Sequence, residues 1–558
     1  MKRKVLQKSI ALVLTTAMCT SLFVGCGSSD SATSSSSSSS STSEAGEVCY
    51  DANGNVTGMN FPLEEDMEFT FHYHARNMYV FDEEWPVYQE LAEITGISLV
   101  NTGNIVLTNS EEAIQLQAIE GFPSDLYGGN NTADYFMQYG PDGAFIALND
   151  YWEYMPNFRA YLDANPEVEG SITAEDGNIY HMPYIQEGDV ARTYFIRTDW
   201  LDNLGLDIPV TTDDYEAVLY AFLEQDANGN GDTSDEIPYF NDKWNEMIRL
   251  VNLWDARCYS QDDYSQRIIP NEDGTMYHAW TADEFRDAIV KLSQWYTDGI
   301  IDQEIWTKGN SSRKEYIPGD IGGSTHEWVA STSAYNSTVT DVEGFELSVI
   351  APPITSEGNQ WEEHQRLLCK PDGWAVSINC DTPEYLFAYM DYFWTEEGRI
   401  LSNFGVEGTD WEYDEDGNPQ FVEEVLNSDT AVNTYLESEV GAQLKQGYWM
   451  YYEYEIQWTD EEFGQPGVAM YQELGLGDSV TQLPAMSWTK EEKTVVDNLM
   501  TALNDYQDEM VQRWISSSNN ELVLEEWDSY IATCESYGVE QLLDVYETSY
   551  QRLLSVGE

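Results

Sequence analysis

The amino-acid sequence predicts an α/β fold divided into two lobes. Its 558 residues are room for more than one folding unit of ordinary size. The first structured stretch reads strand, helix, strand, which is how an α/β sheet opens. No internal repeat is apparent, which argues against solenoids and propellers.

Taken in order, Glu68 to His74 alternates as a strand does, placing His72 and His74 on one face. Two histidines could bind a metal, but no third ligand follows at a sensible spacing, so a structural role is expected. Trp85 to Glu93 has helical spacing, Thr95-Gly96 ends it, and Ile97 to Asn101 is the next strand. Glu111 to Glu120 reads as a helix with Ile114, Leu116 and Ile119 apolar, and Phe122 to Tyr127 as a short strand ending at Gly128-Gly129. Ligands in open α/β sheets gather at such strand ends. Asp213 is a candidate cap for a helix whose Tyr215, Val218, Leu219, Phe222 and Leu223 share one face, with Glu216 three residues on. Ala282 to Tyr296 is another amphipathic helix, ended by Asp298-Gly299. Leu347 to Ile350 and Trp374 to Ile378 read as strands, and Pro383 to Trp394 as the helix that follows. The last seventy residues are mostly helical, with Val495, Leu499, Leu503 and Tyr506 in one stripe.

With 25 basic against 100 acidic residues the formal charge is -75, which repels nucleic acid and anionic membrane surfaces. The same field disfavours a polyanionic ligand unless a local basic cleft overrides it. A neutral ligand is expected. The N-terminus carries Lys2, Arg3, Lys4 and Lys8 before an apolar run from Ile10 to Val24, an export signal over residues 1–25. Phe23-Val24-Gly25-Cys26 resembles a bacterial lipobox, so Cys26 is the expected site of lipid attachment. Residues 26–60 include the run Ser34 to Ser41, a flexible tether that cannot bury apolar surface. The chain is therefore expected to sit, lipid-anchored, at the outer face of a membrane. Cys49, Cys258, Cys369, Cys380 and Cys534 remain, and this spacing is no disulfide framework. Cys369 and Cys380 could face each other across a hairpin, although buried thiols fit better.

Asp226-Ala-Asn228-Gly-Asn230-Gly231-Asp232-Thr-Ser-Asp235-Glu236 sets oxygen side chains at alternate positions and closes on two adjacent carboxylates. Calcium takes six to eight hard oxygen ligands, and such a loop folds them around one centre. Gly231 falls where the chain must turn sharply. Asp235 and Glu236 stand at positions ten and eleven, where the standard calcium hand has a glutamate at twelve, so the loop is a variant. An ion-free Asn/Gly-rich turn is the other reading. Bound calcium here would staple a loop and perform no chemistry.

The phrases Asp199-Trp200-Leu201-Asp202-Asn203-Leu204-Gly205-Leu206 with Ile208-Pro209 and the helix leading into Asp226, Gly143 to Asp150, Met155-Pro156-Asn157-Phe158, Gly373-Trp374-Ala375-Val376 and Asn403-Phe404-Gly405-Val406-Glu407-Gly408 resemble family 1 extracellular solute-binding lipoproteins of ABC importers. Their order and spacing cover most of the chain after residue 62. The resemblance implies a periplasmic-binding-protein-like fold of type II, with a sugar or other small solute held in an interlobe cleft. Residues 62–188 with 376–425 form the first lobe in this reading, and 189–375 with 426–558 the second. Alginate-binding relatives in this family carry a calcium loop at the corresponding place, which carries a metal role onto Asp226, Asn228, Asn230, Asp235 and Glu236, with the carbonyl of Asp232.

The chain holds 18 Trp, 37 Tyr and 19 Phe, and Tyr and Trp faces suit the C–H-rich sides of pyranose rings. Candidate ligand contacts at strand ends and turns are Arg76, Asn77, Tyr127, Asn130, Asn131, Tyr184, Trp254, Glu327, Trp328 and Trp488. Trp374 has two readings, a cleft ring or a core residue. No Gly-x-Ser-x-Gly, His-Glu-x-x-His or phosphate-binding Gly-rich loop is present, and among 100 acidic residues no carboxylate pair stands out. The expected function is capture of a neutral oligosaccharide by a monomer that hands it to importer permease subunits, without catalysis. A secreted glycan-active hydrolase and a peptide-binding surface lipoprotein stay open.

Overall fold

The computed structural model describes residues 45–555 apart from 52–53, 76–78, 105–108, 189, 261–265, 272, 363–365, 368, 429, 445 and 477–482. The signal segment, Cys26 and most of the tether lie outside the described residues, as do Arg76 and Asn77. Ser43–Glu558 forms one compact unit.

Eleven strands build two sheets: β1 Met67–Ala75, β2 Tyr79–Val80, β3 Ile97–Asn101, β4 Leu126–Gly129, β5 Met182–Gln186, β6 Arg192–Arg197, β7 Ile237–Tyr239, β8 Gly322–Trp328, β9 Leu347–Ile350, β10 Cys369–Val376 and β11 Trp449–Met450. The first sheet has the order β11-β5-β10-β4-β1-β2, with β3 also on β1, and the second β9-β6-β8-β7. In the first sheet β3 and β4 run parallel to β1, whereas β10 is antiparallel to both β4 and β5. The carboxyl ends of β1, β4, β5 and β11 therefore share one end with the start of β10. In the second sheet β6 is antiparallel to β8 and β9, so its first residue lies beside their last ones.

The alternation in β1 works as read. Phe69, Phe71 and Tyr73 enter the larger core, while His72 and His74 are buried on the opposite face, with the His72 ring 5.5 Å from Tyr127. Both faces are covered, as a parallel sheet requires. The expected strand at Phe122 starts only at Leu126, because Phe122 sits at φ 54°, where an extended chain cannot continue. The strand expected at Trp374–Ile378 begins earlier and ends at Val376, leaving Ile378 exposed. Helix Ser110–Glu120 buries Ile114 but exposes Leu116 and Ile119.

The helices used below are α1 Ala133–Tyr139, α2 Pro156–Ala164, α3 Thr212–Glu224, α4 Asp283–Asp298, α5 Pro383–Tyr392, α6 Lys490–Ile515, α7 Leu522–Ser536 and α8 Val539–Leu554. The cap of α3 is Thr211, in a capping box with Asp214, rather than Asp213. Glu216 instead accepts the Trp295 indole N–H at 2.7 Å. In α6 Leu503 is buried and Leu499 and Tyr506 pack against the second core as expected, while Val496 and Met500 in place of Val495 complete the buried stripe, between α4 and α8. The Met155-Pro156-Asn157-Phe158 phrase starts α2, whose free backbone N–H groups at Asn157 and Phe158 donate to the buried Asp391 of α5 at 3.3 and 2.8 Å.

Core packing departs from the expected lobe boundaries at two places. Cys369, Trp374 and the run Val432 to Tyr454 pack in the core of the first sheet. Boundaries at 375/376 and 425/426 cut through that core, because β10 and β11 belong to the first sheet. The C-terminal helices pack with the second sheet. Cys369 and Cys380 are buried and free.

Burial keeps three histidines neutral. His72 is pulled down to about 4 by burial, with His74 adding to it, and His181 and His278 fall to about 3 for the same reason. Their unfolded counterparts bind protons first as pH falls below about 6.5. Stability is thus expected to drop from about pH 6.5 toward 4, each histidine adding roughly 1.4 kcal/mol per pH unit. Asp391, pushed up to about 7 by burial, works in the opposite sense over part of this window. Urea titrations of His72→Gln and His181→Gln at several pH values should each give a shallower slope than the wild type; an unchanged slope would show that neither ring titrates on unfolding.

Candidate functional site

Two groups of polar side chains stand at the sheet ends from which the chain crosses. In the first sheet Gly129, at φ 144°, lies so close to β1 that a Cβ would fall 2.4 Å from the His74 carbonyl. This close approach leaves Asn130 buried and turns Asn131 out at φ 56°, its N–H donating to Asp372 at 2.8 Å. Asn131 tolerates this left-handed conformation better than most residues.

The second group is built on β6, β7 and β8. Arg192, the first residue of β6, pairs with Glu246 at 2.6 Å and lies over the Trp328 ring at 4.6 Å from its centroid. Arg249 approaches the same carboxylate at 3.3 Å and covers Tyr259. Glu327 faces Arg313 at 3.5 Å and accepts the Asp242 backbone N–H at 3.2 Å, while Arg313 also reaches Asp242 at 3.5 Å. Burial pushes the Glu327 carboxyl up, and Arg192 and Arg313 oppose that shift. Three guanidinium groups thus meet three carboxylates beside aromatic faces, in a chain whose overall ratio is 25 to 100. Such pairs leave directional donors and acceptors for hydroxyl groups, and the rings supply apolar faces.

Among the described residues the chain passes between the sheets in three places: between β5 and β6, between β9 and β10, and after Met450. Arg366 is ion-paired with Glu455, buried where the second and third passages meet. The Tyr452 hydroxyl donates to Val190 O at 3.4 Å, and its ring lies against Gly188. Arg399 pairs with Glu187 at 2.7 Å between the rings of Trp449 and Tyr451.

Of the expected ligand residues, Glu327 and Trp328 fall in the second group and Asn130 and Asn131 in the first. Tyr127, Tyr184 and Trp374 are instead core residues, each 2% exposed or less. The Tyr184 hydroxyl is 3.1 Å from Met450 Sδ, and Trp374 packs edge-on against Phe393. Trp254 packs against Trp295 in the second core. Trp488 packs edge-on against Tyr546 beside a small crevice lined by Asp134 and Met137, and contacts neither group. The residues missed are Arg192, Asp242, Glu246, Arg249, Arg313 and Asp372, scattered over 180 positions with no local motif.

The loop after α3 closes on itself. Asn230 N donates to Asn228 Oδ1, Gly231 N to Asp226 Oδ2, Asp232 N to Asn230 Oδ1, and Asn230 Nδ2 to Asp235 Oδ2, all within 3.0 Å. Glu236 Oε1 accepts the Ala227 N–H at 2.8 Å, and Gly231 takes φ 93° at its sharp turn. Asp226 Oδ1, Asp235 Oδ1 and Glu236 Oε2 are buried without a hydrogen-bond partner. Burial, with Asp235 beside it, pushes the Glu236 carboxyl up. Among the described residues no three His, Cys, Asp or Glu side chains are gathered tightly enough to hold a metal as they stand. The donor set, which also includes amide oxygens, is nevertheless of the hard-oxygen type that calcium takes.

Two sheets joined by three passages, with polar groups and aromatic rings at the facing ends, define a two-lobed α/β binding protein. No family model matches the chain. The crystal structure of alginate-binding protein AlgQ2 without calcium ion is 36% identical, covers 88% of this chain and 98% of its own, and superposes with a TM-score of 0.76. The fructooligosaccharide ABC transporter substrate-binding protein FusA of Streptococcus pneumoniae serotype 4 is 25% identical over 579 residues, covering 99% of both chains. Lipoprotein LipO of Bacillus subtilis is 23% identical over 48% of this chain and 53% of its own. The chain belongs to the carbohydrate-binding substrate-binding proteins of ABC importers. AlgQ2 and FusA are named as binding proteins and LipO as a lipoprotein. Among the described residues no helix is long and apolar enough to cross a membrane.

Removing Glu246 would take away the carboxylate that Arg192 and Arg249 share. Glu246→Ala should destabilise the protein by about 3–5 kcal/mol in urea unfolding, well beyond an ordinary surface substitution. A cost below about 1 kcal/mol would mean that Arg192 and Arg249 find other partners.

Proposed function

We propose that the protein captures an oligosaccharide between its two lobes and presents it to the permease subunits of an ABC importer, as a monomer held at the outer face of the membrane by lipid on Cys26. The ion-pair cluster of Arg192, Glu246, Arg249 and Glu327 with Trp328, at the end of the second sheet from which the chain crosses, carries this reading. Asn130, Asn131 and Asp372 are the proposed contacts from the first lobe. That lobe comprises the first sheet with its core through Tyr454, and the second lobe the other sheet with the C-terminal helices. The relatives' names support sugar capture and lend nothing to the hydrolase or peptide readings, so no catalytic step is assigned.

A neutral sugar fits the cluster's balanced charge, because hydroxyls take hydrogen bonds from both partners of an ion pair. A second reading is a carboxylated sugar. The same cluster locally cancels the acidic field of the chain, and AlgQ2 is named for alginate.

Calcium is the proposed structural cofactor. Asp226, Asn228, Asn230, Asp235, Glu236 and the Asp232 carbonyl would hold it, and it would satisfy the three buried carboxylate oxygens. Support also comes from AlgQ2, solved without calcium ion, and from FusA, solved as an EF-hand mutant. The ion would tie α3 to β7 and leave the sugar contacts to other residues.

Thermal melts with kestose and with alginate oligosaccharides, each with calcium and with chelator, test both parts. One sugar class should raise Tm, and stabilisation by neither would sink the sugar reading. Chelation should cost about 2–3 kcal/mol at calcium a hundredfold above its Kd. Asp226→Ala should lose that response. A chelator-insensitive wild type would leave the loop an ion-free turn.

A further inference from the structure

A second contact joins the two lobes outside the three passages. The first turn of α6, whose buried face lies in the second core, meets α1 and the segment around Glu175, which pack with the first sheet. Lys493 Nζ is 3.2 Å from Asp134, at the start of α1, and Lys490 Nζ is 2.7 Å from Asp142, just beyond its end. The Lys490 backbone N–H donates to Glu175 at 3.0 Å, and Ser487 donates to the Thr173 carbonyl. Farther along, α8 packs against Pro166–Ile172. None of these residues belongs to a passage between the sheets, so the contact can part while the passages stay intact.

The composition makes the seam unusual. With 100 acidic residues against 25 basic ones, two lobe surfaces brought together repel each other almost anywhere. Here two lysines of one lobe are set against three carboxylates of the other. Lys490 and Asp142 are each about half exposed, and the Asp134 side chain is 42% exposed. Water and salt can reach these pairs, unlike the buried Arg366–Glu455 pair. The seam has the make-up of a contact that opens and closes.

We infer that Lys490 and Lys493 are positioning residues that latch the lobes closed through Asp134, Asp142 and Glu175. The inference rests on the sugar-capture reading for its purpose but not for its geometry. Closing over a ligand then gains an attractive contact where the bare surfaces would repel, and the gain shrinks as salt rises. Ligand release is helped by the same weakness, since exposed pairs separate at little cost.

The test uses residues 43–558, which form one compact unit. Small-angle scattering without ligand at ~50 mM and ~500 mM NaCl compares the wild type with charge-reversed variants at each salt, because salt screens the seam and the acidic repulsion alike. Lys490→Glu, at the half-exposed pair, should expand the protein at ~50 mM NaCl with an unchanged Tm, and the Lys490→Glu/Lys493→Glu variant should be expanded further, with a lower Tm because Lys493 is only 28% exposed and also pairs with Asp497 of its own helix. Adding Asp134→Lys/Asp142→Lys to it should restore the compact form. With kestose and alginate trisaccharide as probes, the double variant should bind the accepted sugar roughly three- to tenfold more weakly and lose salt dependence. An unchanged radius in the charge-reversed variant, or a failure of the second reversal to restore it, overturns the latch. Scattering decides this without any sugar, whereas binding of neither probe by the wild type strikes only the functional reading.

Discussion

Every described passage between the two sheets leaves one sheet and enters the other at ends that face each other, and the buried Arg366–Glu455 pair ties two of those passages together. This follows from strand direction. β5 ends where β10 begins, β11 ends beside β5, and β6 begins where β8 and β9 end. The ion-pair cluster on the second sheet and the Asn130–Asp372 group on the first lie at these crossing ends, where strand ends from distant parts of the sequence meet.

Burying charges in such a place is costly unless each finds a partner. Glu246 serves Arg192 and Arg249 together, and Glu327 shares Arg313 with Asp242. The surrounding acidity makes arginines the scarce component, so their gathering at the crossing ends is informative in a way that any carboxylate pair is not. Elsewhere acidic groups serve the backbone. Asp391 closes the start of α2, and the loop after α3 is held by its own Asn and Asp side chains.

Much of the architecture was legible because it is local. Period-two alternation identified β1, a glycine stop placed the end of α4, and the spacing of oxygen side chains identified the loop at Asp226. Local readings failed where a neighbour decided the outcome. Phe122 takes a left-handed turn that propensity does not reveal, and the buried stripe of α6 takes Val496 and Met500 in place of Val495, between two flanking helices. Tyr184 looked like a cleft ring because it sits near a strand end, yet it is roofed by Tyr448 from far along the chain, and of the two readings of Trp374 the core one holds, with Phe393 packed edge-on against it. The rest of the charged cluster around Glu327 and Trp328 was invisible for the converse reason. Its members, from Arg192 to Arg313, are each an ordinary residue in an ordinary context until β6 and β8 pair.

Gly188 meets Tyr452 where two of the passages lie side by side. Its φ is 96°, and a Cβ there would come within 2.3 Å of the ring. The ring therefore rests on bare main chain, with no knob seated in a hole. Surfaces joined by interlocked side chains must unpack before they can rotate, and that unpacking sets a kinetic barrier. A flat ring on a peptide plane can slide, keeping contact throughout the stroke. At this one contact the joint is a plain bearing, and what locks the passages is the buried Arg366–Glu455 pair beside it.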